Sequence, residues 1–172
     1  MQTISPRFGR AAVMVLRGLH FLGLAVFFGV IVADIVIDLY AEAQSPAFLS
    51  DARVLVSLTG LALPMRGLVL ALATGVAMAA LRYGARPPRW ALIKLALVVA
   101  IFINAQALLF PAIAEATHYA AVSAEQGRVL AEYSAAVGRE GLYGAANLLM
   151  FLVAGALAIA RPALGQRAGR KP

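Results

Sequence analysis

Leu95-Ala-Leu-Val-Val-Ala-Ile-Phe-Ile-Asn104-Ala-Gln106-Ala-Leu-Leu-Phe-Pro111-Ala-Ile-Ala114 is a run of twenty residues without a charge. At about 1.5 Å of rise per residue, such a run spans the ~30 Å hydrocarbon core of a bilayer. Three further stretches share its character. Gly141 to Ala160 is another uncharged twenty, Arg17 and Asp34 enclose sixteen uncharged residues, and Val54 to Leu81 is interrupted only by Pro64 and Arg66. Counting about twenty residues back from Arg82 puts a membrane boundary near Leu61 to Leu63, so Pro64 falls in the first membrane turns, where a kink is tolerable. The pattern predicts an all-α integral membrane four-helix bundle in one domain over 1–172. Its spans are about 14–38, 61–82, 92–114 and 140–161, with an outer helical extension over 49–60. Between the last two spans, Val122 to Ala136 carries Glu125, Arg128 and Glu132, a spacing that predicts a short amphipathic helix (122–136) on the outer surface.

Composition agrees with these runs. The chain has 172 residues, 62% of them hydrophobic and only 13% charged, where an ordinary globular domain carries about a quarter charged residues. The absence of cysteine excludes a disulfide framework, thiolate metal sites and a cysteine nucleophile. The net charge of +7 would suit a nucleic-acid binder only if the cations formed a patch. They do not. Arg7, Arg10 and Arg17 precede the first span; Arg82, Arg86, Arg89 and Lys94 connect the second and third; Arg161, Arg167, Arg170 and Lys171 follow the last. All eight acids, Asp34, Asp38, Glu42, Asp51, Glu115, Glu125, Glu132 and Glu140, fall at or beyond the opposite ends. This segregation predicts a multi-pass protein of a bacterial-type inner (cytoplasmic) membrane with both termini cytoplasmic. The expected partner is the lipid bilayer, whose anionic headgroups the cations meet, with a membrane-protein partner or a homo-oligomer also possible and no nucleic acid. Ala41-Glu42-Ala43 imitates a signal-peptidase site, but Asp34 and Asp38 interrupt the apolar run before it, so the first span reads as retained.

Ionisable and amide groups in hydrocarbon are costly, so those present are where function is sought. At about 100° per residue, His20, Asp34 and Asp38 share one stripe of the first span, and Asn104, Glu115 and His118 share one of the third. Asp34 and Arg66, placed at similar depth on consecutive helices, are expected to form a structural ion pair. Alternatively, the planar fork of Arg66 holds an anionic group such as a haem propionate. Glu115-Ala-Thr-His118 has the (i, i+3) spacing with which bundle helices present two ligands to one metal, and Asp34 or Asp38 could complete a mononuclear site. His20, a lone imidazole in a span, could ligate haem iron or relay protons. Asn104, Gln106 and Asn147 are expected to form interhelical hydrogen bonds, while Gly23, Gly29, Gly75 and Ala79 would permit close backbone approach.

Four segments together resemble the small membrane proteins around HemJ-type protoporphyrinogen oxidase and the copper-resistance-D-like proteins. Leu16-Arg-Gly-Leu-His20-Phe-Leu-Gly-Leu-Ala-Val-Phe-Phe-Gly29 resembles their first helix, with its early histidine and later glycine. Pro64-Met-Arg66 leading to Ala73-Thr-Gly75 is similar to the arginine and glycine of their second. Trp90-Ala-Leu-Ile-Lys94-Leu-Ala-Leu-Val resembles the opening of their third. Arg139 and Asn147, followed by Arg161-Pro162, look like their last span. The resemblance implies haem b as cofactor, His20 as haem ligand or catalytic histidine, and Lys94 as the catalytic lysine of a porphyrinogen-oxidising enzyme. The alternative is a structural accessory subunit of a larger membrane complex.

Overall fold

The computed structural model describes residues 6–84 and 86–162, apart from the side chains at 6–9 and 61; the Arg7 side chain, Arg167, Arg170 and Lys171 of the basic clusters lie outside the described residues. The described chain is helical throughout. α1 (Pro6–Glu42) and α2 (Pro46–Tyr83) form a hairpin. A continuous rod, Arg89–Gln126, follows. It consists of α3 (Arg89–Asn104), one π-helical turn (Ala105–Leu109) and α4 (Phe110–Gln126). α5 (Ala131–Ala160) returns. These are four helical rods long and apolar enough to cross a membrane.

Local chemistry sets the breaks. Ser45 caps α2 by accepting from the Phe48 amide, and Pro46 sits in the first turn, where a missing N–H costs nothing. Gly84 and Gly127 end α2 and α4 at φ of 60° and 67°, which a side chain would strain. Gly127 also overturns the expected amphipathic helix over 122–136. α4 runs to Gln126, the chain turns, and α5 begins at Ala131, with Ser123 Oγ accepting from the Leu130 amide across the turn. The π turn stands just ahead of Pro111, whose ring cannot donate to the preceding helix, and the extra residue absorbs that missing bond. Pro64, by contrast, is accommodated within an unbroken α2, so residues 49–60 and 61–82 are one rod.

The rods alternate in direction. The loops 43–45 and 127–130 therefore share one end, here the Asp38 end, while the start of α1, the end of α5 and the α2–α3 connection share the other, the Lys94 end. At 37 and 38 residues, α1 and α2 are each about 55 Å long, so they outreach the ~30 Å hydrocarbon layer.

Side-chain size decides how the rods meet. α1 lies along α2 because Gly23 and Gly67 face each other: a Cβ on Gly67 would stand 2.6 Å from the Gly23 carbonyl oxygen, and one on Gly23 would stand 2.7 Å from that of Gly67. Such backbone approach is available only to glycine. Gly29, by contrast, has nothing within 4 Å of a built Cβ and serves no such contact. At the Asp38 end, Ala41, Ala52 and Ala120 with Leu49 and Tyr133 form a tight core, and α4 packs on both α2 and α5. Toward mid-bundle the residues become bulky. Phe27, Leu68 and Ile101, with Phe28, Ile31 and Phe151 packed on them, hold the α1–α2 pair away from the α3–α5 pair. Below this layer, α3 packs on α5 but makes no comparable backbone contact with α2. The rods thus approach closely at the Asp38 end and are spaced by bulky side chains toward the Lys94 end.

Candidate functional site

Two polar groups lie on the α1–α2 seam, separated by the Gly23–Gly67 crossing and the phenylalanine layer. The crossing fixes the register. His20 meets Thr74, Phe27 meets Gly67, and Asp34 meets Gly60, so residue numbers across the pair sum to 94.

Toward the Lys94 end, the Nδ1 of His20 is 2.8 Å from the Ala71 carbonyl oxygen and 3.2 Å from Thr74 Oγ1. Thr74 is buried and donates its own hydroxyl proton to the Leu70 carbonyl, so it serves His20 as an acceptor. With two acceptors facing it, Nδ1 carries the proton, which leaves Nε2 as the lone-pair nitrogen. Nε2 makes no hydrogen bond among the described residues. Gly75 lies against the ring: a Cβ there would come within 3.3 Å of His20 Cε1. Lys94, half-buried on α3, stands within electrostatic reach of the imidazole. His20 and Lys94, far apart in sequence, therefore lie toward the same end of the bundle.

The second group is an ion-pair cluster. Arg53, with 0% of its side chain exposed, donates to Asp38 at 2.7 Å and, through both terminal nitrogens, to the Glu140 carboxylate. One guanidinium thereby ties α1, α2 and α5. Asp38 Oδ1, Arg53 Nε and Tyr133 Oη are buried without a hydrogen-bond partner among the described residues. Next to this cluster, Asp34 accepts from Thr59 Oγ1 at 2.9 Å, and Glu115 pairs with Arg139 at 2.7 Å.

Several expectations are corrected by this geometry. Asp34 does not pair with Arg66. The register sets Arg66 level with Phe28, six residues or about 9 Å along the axis from Asp34. Arg66 and Leu68 flank Gly67 on opposite sides; Leu68 enters the core at 4% exposure, and Arg66 turns outward and is exposed. That orientation also separates Arg66 from His20, so the two do not share a cofactor site. Asp34, Asp38, Glu115 and His118 do not assemble as a metal centre. Three of them are occupied by Thr59, Arg53 and Arg139, His118 is exposed, and no group of three or more ligating side chains occurs among the described residues. Asn104 donates to Asn147 Oδ1 at 2.8 Å and to the Tyr143 carbonyl at 3.0 Å, which joins the central rod to α5. Gln106 is exposed in the π turn and joins nothing among the described residues.

Arg53 is the residue that sequence reasoning passed over. The apolar window began one residue later, at Val54, yet Leu49, Ala52, Arg53 and Val56 follow the (i, i+3, i+4, i+7) pattern of a buried helix face. A cation on that face, among so many acids, marks a buried pair.

No protein-family model matches the chain, no curated protein matches it, and no solved structure matches its fold. What the fold defines is a class: a multi-pass helical membrane protein of four antiparallel rods.

Proposed function

We propose that this protein handles a haem-type cofactor within a bacterial-type inner membrane, with His20 as the ligand of its iron and Lys94 as a cation at the same end of the bundle. In this reading both termini are cytoplasmic, because Arg10, Arg17, Arg82, Arg86, Arg89 and Lys94 lie toward one end of the bundle. The observation that carries the reading is the state of His20. Its Nδ1 is committed to the Ala71 carbonyl, an outer hydrogen bond that orients a ligating imidazole and raises its basicity, while Nε2 keeps its lone pair. Gly75 lies against the ring, an aromatic layer stands above it, and α3 makes no comparable backbone contact with α2. Lys94 supplies a positive charge suited to an acidic substituent of such a group, and Thr74 keeps the imidazole from rotating. When bound, haem brings one-electron redox chemistry to the site; what the chain contributes is ligation, orientation and exclusion of water.

The test is spectroscopic. The protein, purified in mild detergent from haem-replete cells, is expected to carry a Soret band that disappears in His20→Ala. A wild-type protein that shows no such band and takes up no added haem refutes the proposal. Porphyrinogen oxidation is the enzymatic form of this reading, and it fails if turnover is unchanged in Lys94→Ala.

A further inference from the structure

Among the described residues, Arg66 is the one charged side chain that lies between the His20 level and the Asp34 level of the bundle. It is exposed and hydrogen-bonds to no described residue. Leu63, 39% exposed, and Val69, 51% exposed, lie three residues to either side on the same face. The face is therefore lipid-contacting, and a bare guanidinium in hydrocarbon is expensive. Its direction indicates how the cost is met. α2 has its N-terminus at the Asp38 end, and helical Cα–Cβ bonds tilt toward the N-terminus. The arginine stem thus rises along Leu63 toward that surface and recovers a large part of the roughly 9 Å that separates Arg66 from the Asp34 level. A second copy would not neutralise it, since a two-fold axis along the bilayer normal sets like levels together and Arg66 against Arg66.

We propose that Arg66 binds the phosphate of one phospholipid from the leaflet at the Asp38 end, drawn inward from the headgroup plane. The guanidinium offers two parallel N–H donors to two phosphate oxygens, and the apolar stem with Leu63 and Val69 seats an acyl chain. The site is independent of the His20 site, because Arg66 faces away from the bundle.

Native mass spectrometry of protein released from phosphatidylglycerol nanodiscs tests the proposal. After bulk lipid is stripped, the wild type is expected to retain one phospholipid. Arg66→Leu should lower that retention roughly tenfold or more, as expected for a charge-assisted contact. Arg66→Lys should keep part of it. Arg89→Gln, which removes an exposed arginine at the other end, should leave it unchanged. Millimolar inorganic phosphate should not displace the bound lipid. Equal retention in wild type and Arg66→Leu overturns the proposal. So does displacement by free phosphate, or a retained mass that corresponds to a second polypeptide instead of a lipid. If Arg66→Leu does not fold, Arg66→Gln at unchanged helicity carries the comparison.

Discussion

Replacing Gly67 with alanine adds one methyl group at the α1–α2 crossing, and the geometry fixes what it must do. The new Cβ would stand 2.6 Å from the Gly23 carbonyl oxygen and 2.8 Å from the Phe27 amide nitrogen, against an ordinary contact of 3.4 Å or more. Both obstacles are backbone, so no rotamer change relieves them. α1 must retreat by most of an ångström over about a turn, and a gap of that size forfeits a quarter to a half of each neighbouring van der Waals contact. Overpacking of this kind costs about 1–3 kcal/mol. We expect the upper part of that range, because the retreat also lengthens the His20 bonds to Ala71 and Thr74 one to two turns away. Gly29→Ala and Gly155→Ala are the controls: nothing lies within 4 Å of either added Cβ, and the helix propensity of alanine should make them neutral or stabilising by up to about 1 kcal/mol. Adding Gly23→Ala to Gly67→Ala should cost less than the sum of the two, since the helices have already parted. Reversible unfolding in mixed detergent–SDS micelles, followed by circular dichroism, measures all of these. If Gly67→Ala unfolds no earlier than Gly29→Ala, the crossing is not held by glycine contact and the register argument falls with it.

Three more outcomes follow from the packing. Arg53→Met leaves two carboxylates without their shared cation and should destabilise the fold by about 3–5 kcal/mol in the same micelle assay, whereas the triple change with Asp38→Asn and Glu140→Gln should recover a substantial part. Asn147→Leu removes the acceptor of Asn104 and should cost only about 0.6–1.7 kcal/mol, the range found for hydrogen bonds between membrane helices. Gly127→Ala forces a side chain into a left-handed turn at φ 67° and should lower stability by about 1 kcal/mol, read as an earlier unfolding midpoint, while Gly141→Ala within α5 should not lower it.

The four spans were legible because each is written locally, as a run of uncharged residues whose length matches the solvent that surrounds it. Relations between spans were not. Counting from Arg82, a span end, gives one depth for Arg66, whereas the structure sets it by where Gly23 meets Gly67; a shift of six residues then moves Asp34 from an arginine to Thr59. Gly67 itself looked like any glycine of a membrane helix, since close approach depends on a partner that periodicity does not show. Glu125, Arg128 and Glu132 carried a helical spacing that a single left-handed residue, Gly127, interrupts. Arg53 is hidden from an apolar window because a charge ends such a window, whereas burial beside two carboxylates makes it part of the core. Conversely, His20 stands out by its rarity in a span and Lys94 by resemblance; that the two lie toward the same end of the bundle is information only the fold supplies.

The contrast between an alanine-lined end and one spaced by phenylalanines bears on how a ligand would arrive. His20 lies on the α1–α2 seam, and α2 and α3 make no comparable backbone contact on that flank. A molecule bound there would first dissolve in the bilayer and then enter sideways between the two rods. Its apparent affinity would then follow its mole fraction in lipid, and diluting a fixed amount of it with more vesicles would empty the site even though the total amounts of ligand and protein stay constant.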